Sequence, residues 1–550
     1  MDRVFPQDGA MSPSALLQSG LSAYRDGDFT GAVRDFAAVL AEQPDHHGAR
    51  INLANAFWSQ GRFDDAGREA DRARNSRPDS VAAWMITGAI RLDRGDAGGA
   101  VTAYGRAVSL DPGHAGARAG LGAAFLAAGE PGKAGSTARS CLTLDPANPH
   151  ARFTLGSALA ALDRPKDAIA EFDRVIATAP RHARAHLNRG NALVDLDRID
   201  EAEAGLRVAA DLDPGLKEAW TSLGFILTIR GDLAGAVTAC DRAIVLDADF
   251  APAQWNRGVA LLLGGDFASG FAAYEWRKCH PAWRHRFSPL PAPEWRGEPL
   301  AGRHLLIRAE QGYGDTIMLA RFLPDLARRA ARLTLACRPA LFPMFGRMGV
   351  GLCQLDALPD TPCDIAIDQM SLPHVLGLTE TAIPDSNGYL VADPERAAHW
   401  HAEFPAIPGR RRIGLVWAGN PDHGNDRRRS LPHRALTPLL DVPDLDFVGL
   451  QIGVRQDEYP IRNLSGSIAG YGDTAAILTN LDAVVTVDTS VAHLAGAMGV
   501  PCHILLSAAC DWRWRLGRDT TPWYESVVLH RQRRLGDWSG PVASVMAALT

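Results

Sequence analysis

Three segments in the second half of the 550-residue sequence set chemically capable residues where strand-like runs give way to helix-like ones. In LLIRAEQGYGDTIMLARFLP, Gly312 and Gly314 free the backbone beside Asp315 at the carboxyl end of a sheet, where ligands of open α/β folds sit. An acid there is either a catalytic carboxylate, with Glu310 as second choice, or a cap for the following helix. In ILTNLDAVVTVDTSVAHLAGAMGVPCHILL, Asp488, Thr489 and Ser490 stand at a strand end and at the start of a helix carrying His493. The unpaired N–H groups and positive dipole of a helix N-terminus suit a nucleotide mono- or diphosphate. The alternative is capping by Asp488 or Thr489, with His493 in the core. In VWAGNPDHGNDRRRSLP, Asn420, His423, Arg427, Arg428, Arg429 and Ser430 form a loop that either holds phosphate bidentately and stabilises a departing nucleotide, or is a solvated basic loop. Gln451, ending VGLQ, falls where a ribose or base contact is expected. Trp512 and Trp514 either close a cleft over the donor or pack as ordinary aromatics. No Asp-x-Asp follows the carboxyl end of a strand-like run here, so a metal-independent site with no bound cofactor is expected.

The elements that must position these residues begin at residue 303. HLLIRA reads as a buried strand, TIMLARFLPDLARRA as an amphipathic helix and RLTLACR as the next strand; RRIGLVWAG, LDFVGLQ, DAVVTV and CHILLS form a second series. Such alternation marks strand and crossover-helix units. Two lobes follow, at 303–395 and 411–550, with residues 396–410, ending in FPAIPG, as the hinge.

Residues 1–280 follow another rhythm. A turn starting with Gly or Asp recurs every 34 residues at Gly27, Gly61, Gly95, Gly129, Asp163, Asp197, Gly231 and Gly265. Prolines keep the same step from Pro44 to Pro214, and small residues recur in phase at Gly20, Ala54, Gly88 and onward. Small residues let paired helices approach closely, while proline ends the second helix. Each unit buries its apolar face only by stacking on neighbours, giving about eight repeats in a superhelix with a concave groove. Asn52, Asn188 and Asn256 share one repeat position, so an amide row could clamp an extended backbone; otherwise they solvate or cap helices. Residues 281–302 contain Pro281, Pro289, Pro291 and Pro293 and read as a cap and linker, with Trp276, Trp283, Arg284 and His285 covering the solenoid end.

A hydrophobic fraction of 46% with 22% charged residues is ordinary for globular chains, and a net charge of -6 gives no reason to expect nucleic acid. No apolar run reaches membrane-span or signal-peptide length, so a cytoplasmic protein without membrane insertion is expected. Eight cysteines without a C-x-x-C pair suggest neither disulfides nor a zinc site.

The 34-residue units resemble the tetratricopeptide repeat family, whose usual role is to hold a peptide or protein. The asparagine row resembles that of the animal O-linked N-acetylglucosamine transferase. The QGYGDT segment resembles the opening of bacterial lipopolysaccharide heptosyltransferases, which implies that Asp315 deprotonates an acceptor hydroxyl. VDTSVAHLAG is similar to the D-T-G-x-x-H-L-A segment of that family, with Ser490 in place of the glycine, and implies donor binding. As a whole the chain resembles bacterial tetratricopeptide-repeat glycosyltransferases, including the flagellin-modifying type. That resemblance implies a repeat solenoid followed by a two-lobed GT-B module, and a sugar moved from a nucleotide-sugar, CMP-linked nonulosonic acid in that system, to a protein acceptor such as flagellin. A polysaccharide or lipid-linked acceptor, or an inactive interaction scaffold, are the alternatives.

Overall fold

The computed structural model describes residues 11–356, 362–384, 388–453 and 457–550, so the first ten residues of the 1–280 segment lie outside the described part. The chain divides into two compact units, 1–214 and 215–550.

The first unit holds six helix pairs, from Pro13–Arg25 to Ile199–Leu212. Their shared period has a local cause. The side chain before each first helix accepts the N–H three residues on: His46 at 3.0 Å, Ser80 at 3.3 Å, His114 at 3.1 Å, Asn148 at 3.0 Å and His182 at 3.1 Å. Six residues after each helix-ending proline, a donor satisfies that proline's carbonyl: Trp84 to Pro78 at 2.8 Å, Arg118 to Pro112 at 2.6 Å, Arg152 to Pro146 at 2.5 Å and His186 to Pro180 at 2.9 Å, with Arg50 reaching Pro44 likewise. Side chains as different as tryptophan, arginine and histidine serve because only one N–H is needed. The turn residues are left-handed, including Asp163 and Asp197 with φ of 56° and 57°.

The second unit contains the last two helix pairs, Lys217–Arg230, Leu233–Leu246, Ala251–Gly264 and Phe267–Tyr274, and two sheets. The first sheet comprises β1 (His304–Arg308), β2 (Arg332–Ala336), β3 (Gly351–Cys353) and β4 (Ile365–Asp368), all parallel in the order β3-β2-β1-β4. The second comprises β5 (Arg411–Val416), β6 (Leu445–Gly449), β7 (Arg462–Asn463), β8 (Ala483–Val487), β9 (Cys502–Leu506), β10 (Thr520–Thr521) and β11 (Tyr524–Arg531), ordered β10-β11-β9-β8-β5-β6-β7. Only the β10–β11 pairing is antiparallel. Strands β1 and β8 are buried along their whole length, which accounts for their unbroken apolar sequence.

Four sequence expectations change here. The unit boundary lies after Pro214 rather than near 280, because Leu262, Leu263, Phe267, Phe271 and Tyr274 share one hydrophobic core with the sheets. Phe267 stacks on Trp523 at 5.9 Å, and Phe271 meets Trp512 edge-on at 5.4 Å. The proline-rich 281–302 segment is no free linker: Trp295 is fully buried, its backbone N–H donates to the Ala366 carbonyl at 2.8 Å, and the Ala366 N–H donates to the Pro293 carbonyl at 3.0 Å. Proline is tolerated beside β4 because an edge position needs only its carbonyl. The helix Pro394–Glu403, which buries Trp400, runs into the first half of the expected 396–410 hinge. The helix after β1 is broken into Tyr313–Leu319 and Leu323–Arg329, with Pro324 at the start of the second piece. Trp283 packs edge-on against Trp255 of the last repeat at 4.7 Å. Among the described residues no helix is long and apolar enough to cross a membrane.

Candidate functional site

Each sheet sends one short helix from the carboxyl end of a buried strand, Tyr313–Leu319 after β1 and Ser490–Ala497 after β8, and these two helices meet. Contact is close because residue 314 has no side chain: a β-carbon there would lie 2.5 Å from His493 Cδ2. Neither Gly312 nor Gly314 has a positive φ, so close packing, not turn geometry, accounts for Gly314.

Asp315 sits in the first turn of its helix. One carboxylate oxygen accepts the Gly312 N–H at 2.8 Å, so the capping role is real; the other accepts from Arg513 of the second sheet's lobe. Arg513 also binds Asp511 at 2.6 Å and lies over the Trp512 ring at 4.4 Å. Burial alone would lower the Arg513 guanidinium, but Asp315 and Asp511 outweigh it and hold it above its ordinary value.

The facing helix starts at Thr489, and no side chain caps its N-terminus; the Thr489 hydroxyl instead pairs with Thr486 at 3.0 Å. The Ser490 hydroxyl accepts from Tyr471 at 2.7 Å, and Tyr471 packs on Tyr313 at 5.0 Å. Burial and the Asp511 charge push the Asp488 carboxyl up to about 6, against the opposing pull of Arg429. His493 is buried, bonded to Tyr524 at 3.0 Å and stacked on Trp514 at 5.1 Å. Burial, with Arg513 and Arg321 nearby, pushes it well below the usual histidine range, so it is a neutral buttress.

In the basic loop, Arg429 donates to the Asp488 carbonyl at 3.2 Å and pairs with Asp426 at 3.2 Å. Burial and Arg429 lower His423, while Asp511 and Asp315 oppose that shift, so the ring is within electrostatic reach of the cluster. Asn420 is exposed and accepts the Asp422 N–H at 3.1 Å; Arg427 is exposed and Arg428 half-buried on the same turn.

Several expected site residues prove structural. The Glu310 side chain is enclosed, paired with Arg277 at 2.9 Å, and so serves as a counter-ion rather than as a catalytic carboxylate. Gln451 is buried, with its amide oxygen accepting from the Trp417 and Ala418 backbone and one amide hydrogen given to the Ile452 carbonyl, so its first task is to hold the end of its strand. The Ser430 hydroxyl accepts the Gly419 N–H and donates to Asp426, both at 2.9 Å, so it holds the loop and not a phosphate. Trp512 and Trp514 are buried packing residues. Asn188 donates to Ser157 at 3.2 Å and Asn256 to the Thr221 carbonyl at 3.2 Å, each tying one repeat to its predecessor; Asn52 is half-buried at the same position.

Sequence reasoning does not reach Arg513, Asp511, Tyr471 and Tyr524. One signal was present: the pentapeptide GYGDT occurs at 312–316 and again at 470–474. Each copy opens a helix, and the two tyrosines are the touching pair. Among the described residues, no group of three histidine, cysteine or acidic side chains is arranged to hold a metal ion.

Compared with known proteins, residues 23–90 match a tetratricopeptide repeat family, and residues 88–149 and 153–217 match a second description of the same repeat. These segments are tetratricopeptide repeats. The chain is 28% identical to Protein FlbA of Caulobacter vibrioides over 418 residues, covering 64% of this chain and 70% of that protein. It is 34% identical over 102 residues to the Hsp70-Hsp90 organizing protein of Triticum aestivum, 18% of each chain. A solved structure of the APC/C hetero-tetramer Cut9-Hcn1 aligns with a TM-score of 0.42 at 17% identity, over 45% of this chain and 48% of that one. The chain thus spans under half of that structure and less than a fifth of the wheat protein.

Proposed function

We propose that this chain is a GT-B-type glycosyltransferase that moves a sugar from a nucleotide-sugar to a serine or threonine hydroxyl of a protein held by the repeats. The observation that carries the reading is the meeting of two strand-to-helix turns, one bringing Asp315 and the other an uncapped helix N-terminus. The acceptor hydroxyl oxygen attacks the anomeric carbon, and the bond from that carbon to the donor phosphate oxygen breaks. The hydroxyl proton passes to Asp315, and the electron pair leaves with the nucleotide. Asp315 keeps lone pairs beyond those engaged by Gly312 and Arg513, so it can still accept a proton. The N–H groups at Ser490 and the arginines of the 427–429 turn would receive the phosphate charge.

Tetratricopeptide repeats generally bind proteins, which supports a protein acceptor. The flagellar-related name of FlbA favours flagellin, with a CMP-linked nonulosonic acid as donor. The test is thermal stabilisation of the purified chain by CMP-, UDP-, GDP- and ADP-linked nucleotides, followed by transfer assays with Asp315→Asn. A true donor site raises the melting temperature with one nucleotide class by mass action. No shift with any class, or full transfer by the asparagine variant, overturns the reading.

A further inference from the structure

Besides the Asp315 cluster, the second unit contains a shallow, open pocket of about 310 Å³ that the transfer reaction does not use. It lies at the carboxyl ends of β1 and β4, where Arg308 and Asp368 are register partners. This is the end of the sheet from which open α/β folds bind small molecules, and the volume is at the lower limit for such sites. The extended segment around Phe287, Ser288 and Leu290 forms the opposite wall.

Of the four charged residues lining it, Arg308 and Asp368 are buried, yet each keeps an atom in reserve. Arg308 spends Nε on Asp368 Oδ1 at 2.6 Å and Nη1 on the Ser288 carbonyl and hydroxyl at 2.9 and 3.0 Å. Arg308 Nη2 and Asp368 Oδ2 have no hydrogen-bond partner among the described residues. The uncommitted guanidinium nitrogen and carboxylate oxygen open into the pocket and present a donor and an acceptor. The lining carries no net charge: the cations Lys278 and Arg308 face the carboxylates Glu294 and Asp368, and Lys278 already binds Glu294 at 2.6 Å. An anion or cation would gain nothing here. Phe287 and Leu290 add an apolar wall.

We infer that this cavity binds a single neutral sugar ring: one hydroxyl accepts from Arg308 Nη2, its neighbour donates to Asp368 Oδ2, and the C–H face of the ring lies on Phe287. A hydroxyl pair supplies both hydrogen-bonding roles, and the aromatic ring takes the apolar face. The site is separate from Asp315 and does not depend on the transferase reading.

The test is saturation-transfer NMR on the full chain with methyl glycosides of glucose, galactose, mannose and N-acetylglucosamine, and with acetamide as an amide probe. At least one glycoside should receive saturation. Its dissociation constant should rise at least tenfold in Phe287→Ala, which removes a half-buried wall residue that also lies 5.8 Å from the Arg277 guanidinium, and binding should vanish in Asp368→Asn, while Asp315→Asn leaves it unchanged. Melting curves of the variants identify any that fail to fold, in which case Leu290→Arg, placing a charged chain in the cavity, takes the place of Asp368→Asn. Silence from every glycoside, equal binding by Phe287→Ala, or a response to acetamide alone overturns the inference.

Discussion

Gly314 and His493 lie on helices that follow different sheets of the second unit and approach so closely that a single added methyl would fall 2.5 Å from the imidazole. His493 cannot retreat, since it is bonded to Tyr524 and stacked on Trp514. Gly314→Ala should cost about 1–3 kcal/mol through overpacking and weaken nucleotide binding together with stability. Gly312→Ala, whose β-carbon meets only the Asp315 carboxylate at 3.1 Å, should cost less than about 1 kcal/mol. Urea denaturation of both variants provides the comparison.

Arg513 and Asp315 offer an unequal pair of mutations. Asp315→Asn leaves Arg513 with Asp511, so the fold should survive while transfer is lost. Arg513→Met leaves two half-buried carboxylates facing one another without their shared cation and should cost about 1–3 kcal/mol. The two losses are separated by measuring melting temperature and single-turnover transfer on the same preparations. Equal destabilisation would contradict this reading of the cluster.

The Asp488 carboxyl, pushed up to about 6, gives a signed pH dependence. Its folded value lies above the unfolded one, so the protonated form is favoured in the native protein. Stability is greatest below the unfolded value and falls as pH rises through about 6. Protonation also removes a negative charge beside the proposed phosphate site, so nucleotide affinity should rise as pH drops from 7 to 5. Asp488→Asn should flatten that dependence in isothermal titrations; an unchanged slope would place its origin elsewhere.

The shared core of the last repeat and the sheets predicts where the chain can be cut. A fragment of residues 215–550 should fold cooperatively and retain nucleotide binding. A fragment of residues 281–550 loses Leu262, Phe267, Phe271 and Tyr274 from beneath Trp512 and Trp523, and should expose apolar surface and aggregate. Dye binding and light scattering of the two fragments distinguish these outcomes.

The repeats were legible because a 34-residue period reports the same local contact many times: a left-handed turn, a cap and a proline carbonyl needing a donor. Buried parallel strands were equally plain, since a short, unbroken apolar run bounded by turn residues suits a strand covered on both faces. Pairings between distant residues were not visible. Asp315 and Arg513 are 198 positions apart, and no local pattern joins them. Glu310 and Asp315 are both acids in one loop, and what separates a buried counter-ion from an accessible carboxylate is Arg277, which the sequence shows only as part of a terminating helix. Gln451 escapes a sequence reading for a similar reason: its partners are backbone groups, which every residue possesses. Proline content suggested a linker, although prolines exclude only the N–H half of edge pairing.

The phenyl rings that Phe267 and Phe271 place under the sheets divide the eight repeats into two evolutionary classes. Upstream of Pro214 a whole 34-residue unit can be gained or lost by duplication or deletion, since each repeat contacts chiefly its neighbours. The final two cannot be traded in this way. Inserting or removing one whole unit should therefore be tolerated on the amino-terminal side of the array and not within its last two repeats.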